Sequence, residues 1–205
     1  MGNSVEPLRI IIMGTAGTGK SYLIKAIRKK LNTMERDRSK VLVKVIAPTG
    51  VASFNINGAT IHSTLSIPIF NNKCSNLDGN RLKQLQERLK NVIYLIIDEK
   101  SMVGRRMFAL VNKRLREAFS ENKNEPFSRR SIILFGDFSQ FSPVLDLPMY
   151  ANNISHDTIS NDGIASYKNF WEVYKLDVIQ RQSGDSEEQK SFREILLRLR
   201  DRNCS

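Results

Sequence analysis

The sequence predicts a three-layer α/β fold, a parallel β-sheet with helices on both faces, and two observations carry that prediction. Five apolar or β-branched runs have strand length, and most are almost continuously apolar, as strands covered on both faces must be. Between them lie segments whose apolar residues recur every three or four positions, the spacing of an amphipathic helix. Strand and helix in alternation imply βαβ units and a doubly wound sheet.

The first run is Leu8 to Met13, followed by the helical stripe Leu23, Ile27 and Leu31, with Lys25, Arg28 and Lys29 facing elsewhere. Val41 to Ala47 is the second run. The stripe Leu82, Leu85 and Leu89 precedes the third, Val92 to Ile97. Phe108, Val111, Leu115 and Phe119 then form a helix that leads to the fourth run, Ser131 to Phe135. The fifth, Val173 to Ile179, is followed by the stripe Phe192, Ile195, Leu196 and Leu199. Residues 66–80 and 143–168 are rich in Asn, Ser, Pro and Asp and predict loops. With no internal repeat, the 205 residues are expected to form one domain with a packed core, 40% of them being hydrophobic.

No apolar run approaches the ~18–20 residues of a membrane span. The start, Met1 to Glu6, has neither the charged nor the apolar region of a secretory signal, and Glu6 breaks the myristoylation pattern. Cys74 and Cys204 fit no disulfide framework and no metal spacing. An intracellular, reduced protein is expected. The net charge of +11 is unevenly placed: residues 1–45 carry ten Lys/Arg against three acids, and residues 81–130 thirteen against six. Residues 131–180 reverse this, two against six. Such a basic surface suits a polyanion, most simply nucleic acid. Charge alone does not separate that reading from solvated helix faces.

The chemistry is concentrated in Gly14-Thr15-Ala16-Gly17-Thr18-Gly19-Lys20-Ser21, a complete G-x-x-x-x-G-K-[ST] phosphate-binding loop (P-loop). It follows a predicted strand and opens a predicted helix, as the motif requires. Its glycines let backbone N–H groups turn onto phosphates, and the helix N-terminus adds its dipole. Lys20 is expected to reach the β- and γ-phosphates of ATP, and the Ser21 hydroxyl to bind Mg2+. The strand Val92 to Ile97 ends in Asp98-Glu99, at the strand end where ligands bind in open α/β sheets. Asp98 is the expected outer magnesium ligand, and Glu99 the base for the attacking water. A further strand ends in Gly136-Asp137-Phe138-Ser139-Gln140, where Gln140 is placed to contact the γ-phosphate or the water.

These motifs, together with Ala47-Pro48-Thr49-Gly50-Val51-Ala52-Ser53-Phe54 and Asn57-Gly58-Ala59-Thr60-Ile61-His62-Ser63, resemble the PIF family of DNA helicases, in helicase superfamily 1. The resemblance covers residues 9 to 203 or so and includes Asp98-Glu99-Lys100-Ser101-Met102 and Gln180-Arg181-Gln182. It implies a RecA-like P-loop fold and an ATP-dependent DNA helicase that serves repair, recombination and telomere maintenance. It further implies that Pro48, Thr49, Gly50, Thr60 and His62 contact single-stranded DNA, that Asp137 and Gln140 couple the two sites, and that Arg181 approaches the γ-phosphate. A nuclear location follows from the resemblance, with the mitochondrion as alternative. Lys100 stands where the family pattern is apolar, Thr15 where Pro is common, and Phe141-Ser142 where Leu-Pro is favoured. The family's second RecA-like domain is not represented in these residues and is expected as a partner within a longer protein. Two other readings stay open: a truncated module that binds nucleotide or single-stranded DNA without catalysis, and a small-molecule P-loop kinase.

Overall fold

The structure, a computed structural model, describes residues 6–35, 37, 40–69, 75–137 and 140–178, with 187, 191 and 195. Its strands are β1 (Arg9–Gly14), β2 (Val43–Ala47), β3 (Ala59–Thr60), β4 (Tyr94–Ile97), β5 (Ser131–Gly136) and β6 (Glu172–Leu176). They form one sheet in the order β3-β2-β4-β5-β1-β6, every neighbouring pair parallel. The helices are α1 (Lys20–Met34), α2 (Gly50–Asn55), α3 (Ile61–Leu65), α4 (Gly79–Leu89), α5 (Arg105–Ala118) and α6 (Thr158–Tyr167).

The two layers of helix follow from the two-residue period of the strands. Ile11, Ile46, Leu95, Ile97, Ile132 and Leu134 point to one face and pack with Ile61 and Leu65 of α3, Leu85 and Leu89 of α4, and Phe108, Val111 and Leu115 of α5. Their neighbours Ile12, Val45, Ala47, Ile96, Ile133 and Phe135 point to the other, against Leu23, Ile24, Ile27 and Leu31 of α1. Of the α1 residues, Ile24 is the fully buried one, so the helix centres one residue beyond the predicted stripe.

Three sequence expectations are corrected. Residues 143–168 are not loop throughout, because α6 lies within them. Its apolar residues are not segregated to one face and give little amphipathic signal, and tertiary contact supplies what periodicity does not. The Asp157 carboxylate caps it by accepting from the Ile159 N–H at 3.1 Å. Gly163 lets it cross α5 closely, since a Cβ there would lie 2.0 Å from the Arg105 carbonyl oxygen. The last strand, β6, is an edge strand with Val173, Tyr174 and Lys175 exposed, rather than one covered on both faces. A sixth strand, β3, was not predicted; two residues carry no periodicity. The predicted stripe Phe192, Leu196 and Leu199 falls outside the described residues, as do Gln180-Arg181-Gln182.

A loop residue orients α5. The Asp146 carboxylate accepts from the N–H groups of Arg106 (3.0 Å) and Met107 (3.3 Å), closing two of the four donors a helix start leaves open. Gly104 makes that approach possible, because a Cβ there would meet Asp146 Oδ2 at 2.1 Å.

Candidate nucleotide and nucleic-acid site

Because the strands are parallel, their carboxyl ends share one edge of the sheet, and the described candidate residues lie in the segments that leave it. Between β1 and α1, Gly17 (φ 84°) and Gly19 (φ 86°) take left-handed backbone that would strain any side chain. Gly14 is needed for space: a Cβ there would lie 2.4 Å from Thr18 Oγ1. That hydroxyl donates to the Thr15 carbonyl at 2.8 Å and closes the loop on itself. Lys20 opens α1, and its ammonium donates to the carbonyls of Gly14 (2.7 Å) and Thr15 (2.9 Å). The cation is thereby folded back over the loop, at the positive end of a helix, where an anion is favoured.

Asp98 and Glu99 leave the end of β4. Asp98 is 5% exposed, and burial lifts its carboxyl from 3.8 to about 6. The Glu99 N–H, which donates to Asp98 Oδ1 at 2.9 Å, and the Lys20 ammonium both favour the charged form without overcoming burial. Glu99 itself has φ 51°, uncommon for a residue with a side chain and the kind of strain functional sites retain. Lys100 is 1% exposed, and burial lowers its ammonium to about 7 while Asp137, at the end of β5, favours the charge. Gly136 makes room for it, since a Cβ there would lie 2.9 Å from both Lys100 N and Cγ.

Ala16, Gly17, Gly19, Lys20, Ser21, Asp98, Glu99 and Gln140 line one cavity of about 550 Å³. Two further residues on its wall, Tyr22 and Asn55, were not predicted. Tyr22 could have been suspected as a large aromatic directly after the motif, but nothing in the local pattern marks Asn55. A larger cavity of about 680 Å³ lies between α5 and α6, lined by Asn112, Lys113, Arg116 and Asp162 among others, and contains none of the motif residues. Ser21 and Asp98 fit magnesium, a hard cation that takes oxygen ligands and binds through few protein groups plus substrate phosphates. Among the described residues no cluster of three or more His, Cys, Asp or Glu could cage a metal alone.

The nucleic-acid candidates leave the same edge of the sheet. The β2–β3 register pairs Ala47 with Thr60, so Pro48-Thr49-Gly50 and Thr60-Ile61-His62 leave the sheet side by side. Thr49 caps α2 by accepting from the Ala52 N–H at 3.2 Å, and Thr60 caps α3 by accepting from Ser63 at 3.2 Å. His62 is half-buried, and burial lowers its pKa from 6.5, which favours the uncharged imidazole. Two arginines brace the pair. Arg88 of α4 donates to the carbonyls of Ser63 (2.7 Å) and Thr64 (2.9 Å), and Arg28 of α1 donates to that of Asn57 (2.7 Å). The six-residue helix α2 thus begins at a nucleic-acid candidate, Gly50, and ends at Asn55 in the nucleotide cavity.

A glycine-rich phosphate loop on β1, acidic residues on β4 and a parallel sheet sandwiched by helices define a P-loop nucleoside triphosphatase fold. The sequence profile of PIF1-like helicases matches residues 3–205. The chain belongs to the PIF1-like helicase family, and its fold is the RecA-like P-loop α/β fold. It is 33% identical over 201 residues to the ATP-dependent DNA helicase PIF1 of Candida albicans, covering 93% of this chain and 20% of that protein. The Campylobacter jejuni ATP-dependent DNA helicase Pif1 is 33% identical over 143 residues, 66% of this chain and 29% of its own. The crystal structure of the Candida albicans Pif1 helicase superposes with a TM-score of 0.74 at 30% identity, over 94% of this chain and 40% of that one. The Bacteroides Pif1 helicase in complex with ADP-AlF3 and ssDNA shares the fold, with a TM-score of 0.67 at 23% identity over 98% and 44% of the two chains. The chain therefore spans less than half the length of these relatives.

Proposed function

We propose that this chain is the ATP-hydrolysing half of a PIF1-like DNA helicase, coupling hydrolysis to a grip on single-stranded DNA. The observation that carries the reading is the adjacency on one sheet edge of the Lys20–Asp98 cavity and the Pro48–Gly50 and Thr60–His62 segments, joined by α2. The loop N–H groups and Lys20 hold the triphosphate. Ser21 and Asp98 would hold Mg2+, which when bound neutralises phosphate charge. Glu99 takes the proton of the attacking water, and Gln140 orients that water or contacts the γ-phosphate. Pro48, Thr49, Gly50, Thr60 and His62 contact the DNA backbone. Arg181 lies outside the described residues, and its approach to the γ-phosphate rests on the family pattern.

The 205 residues form one RecA-like unit that works with a second RecA-like domain. The Bacteroides Pif1 helicase solved in complex with ADP-AlF3 and ssDNA supports this assignment of ligands. Genome maintenance in the nucleus, or alternatively the mitochondrion, is the proposed setting.

The test is ATP turnover by the purified chain with and without single-stranded DNA. Stimulation by DNA, lost in Glu99→Gln with nucleotide binding kept, is the expected result. Binding of both ligands with no turnover above a Glu99→Gln background would favour the non-catalytic module instead. Phosphorylation of a small-molecule acceptor would favour the kinase.

A further inference from the structure

The motif residues of the cavity wall would hold phosphates and a metal, and none of them is assigned to a nucleobase. Backbone N–H groups, Lys20, Ser21 and the two carboxylates would serve any magnesium-bound triphosphate. Tyr22 is different in kind. It follows Ser21 directly in the first turn of α1, lines the same cavity and is 79% exposed. Its ring and hydroxyl make no hydrogen bond or ring contact among the described residues. Helical geometry explains the exposure: Ile24, two positions on, turns into the core, and two residues of a helix are about 200° apart, so Tyr22 faces away from the sheet.

We propose that Tyr22 is the platform on which the base of a bound nucleotide stacks, so that this cavity selects a nucleoside triphosphate over a bare triphosphate. The proposal rests on the nucleotide-site reading above and adds to it the recognition of the base. Its geometry is sequential. Lys20 and Ser21 hold the phosphate end, and Tyr22 is the next side chain along the helix from them, on the rim of the same cavity. A flat aromatic surface held in water beside a phosphate site loses that exposure when a base covers it, and both π-faces favour the offset stack. Stacking one base on one aromatic side chain is worth ~1–3 kcal/mol, which is roughly 5- to 150-fold in affinity. Because stacking does not read base edges, it should help ATP and GTP alike.

The test compares wild type, Tyr22→Ala and Tyr22→Phe by titration with the magnesium complexes of a non-hydrolysable ATP analogue, the matching GTP analogue and inorganic tripolyphosphate. Tyr22→Ala is expected to weaken both nucleotides roughly 5- to 150-fold and to change tripolyphosphate by less than about 2-fold, with Tyr22→Phe close to wild type. Equal losses for nucleotide and tripolyphosphate would overturn the proposal, since the ring would then act on the loop or the fold. No loss for any ligand would overturn it too, leaving the exposed ring as a contact for another domain. A loss in Tyr22→Phe as large as in Tyr22→Ala would assign the effect to the hydroxyl and overturn the stack. Wild type that binds neither nucleotide nor tripolyphosphate would overturn the phosphate site itself, and the platform with it.

Discussion

Asp98→Asn is expected to stabilise the unliganded fold while destroying the site's use. The Asp98 carboxyl is lifted from 3.8 to about 6, chiefly by burial. A shift of roughly 2 pH units, at about 1.4 kcal/mol each, means the ionised group is held in the fold at a cost of ~3 kcal/mol. Between pH 3.8 and about 6 the folded chain keeps a proton that the unfolded chain has lost. Stability therefore falls as pH rises through that window, and the cost is fully felt above it. Asparagine has nothing to ionise, and its amide oxygen can still accept the Glu99 N–H that Asp98 now accepts at 2.9 Å. Denaturant unfolding of the nucleotide-free and magnesium-free protein should show the variant within ~1 kcal/mol of wild type near pH 3.5, and ~2–3 kcal/mol more stable near pH 8. Magnesium-ATP should reverse the order at pH 8, because it stabilises only the form that binds it. A difference that does not change with pH, or a variant less stable than wild type at pH 8, would refute the account of a buried, ionised carboxylate.

Three further outcomes are expected. Single-stranded DNA should bind with a steep salt dependence and little sequence preference, each phosphate contact adding about 0.7 to the log–log slope; affinity unchanged between low and moderate salt would reduce the basic surface to solvated side chains. Asp146→Ala should cost roughly 0.5–2 kcal/mol in unfolding experiments by uncapping α5, while leaving nucleotide affinity unchanged. The purified chain should not separate a tailed duplex even in large excess, because charge stabilisation by an arginine from a facing domain is worth ~10³–10⁵ in rate in other P-loop enzymes. Robust unwinding would show that one RecA-like unit suffices.

What could be read from the sequence follows how local each signal is. The strand Ile10 to Met13, the loop Gly14 to Ser21 and the helix behind it lie in one continuous stretch, so motif and context confirm one another. Ile96-Ile97-Asp98-Glu99 was legible for the same reason, a continuously apolar strand ending in acids. Helix α6 was not, because it is held by Gly163 packing on Arg105 and by the Asp157 cap rather than by an apolar stripe of its own. Strand β3 was not, because Ala59-Thr60 is a strand only through its register with Ile46-Ala47. Asn55 shows the limit for sites. It stands 35 residues after Lys20 and 43 before Asp98, and only the turn of α2 brings it to their cavity. The bracing of Ser63 and Thr64 by Arg88 was hidden similarly, since an arginine among many gives no local sign of the carbonyls it caps.

The cavity at the carboxyl ends of β1 and β4 is expected to bind magnesium-ATP through Lys20, and calorimetric titration of wild type and Lys20→Ala measures that binding. Lys20 now donates to the Gly14 and Thr15 carbonyls, contacts a loop can replace with water, so the variant should keep its unfolding midpoint. Against the triphosphate it loses charge-assisted hydrogen bonds of ~1.5–3 kcal/mol each, and affinity should fall roughly 100-fold or more. Equal affinity of the two proteins, with both folded, would contradict the assignment.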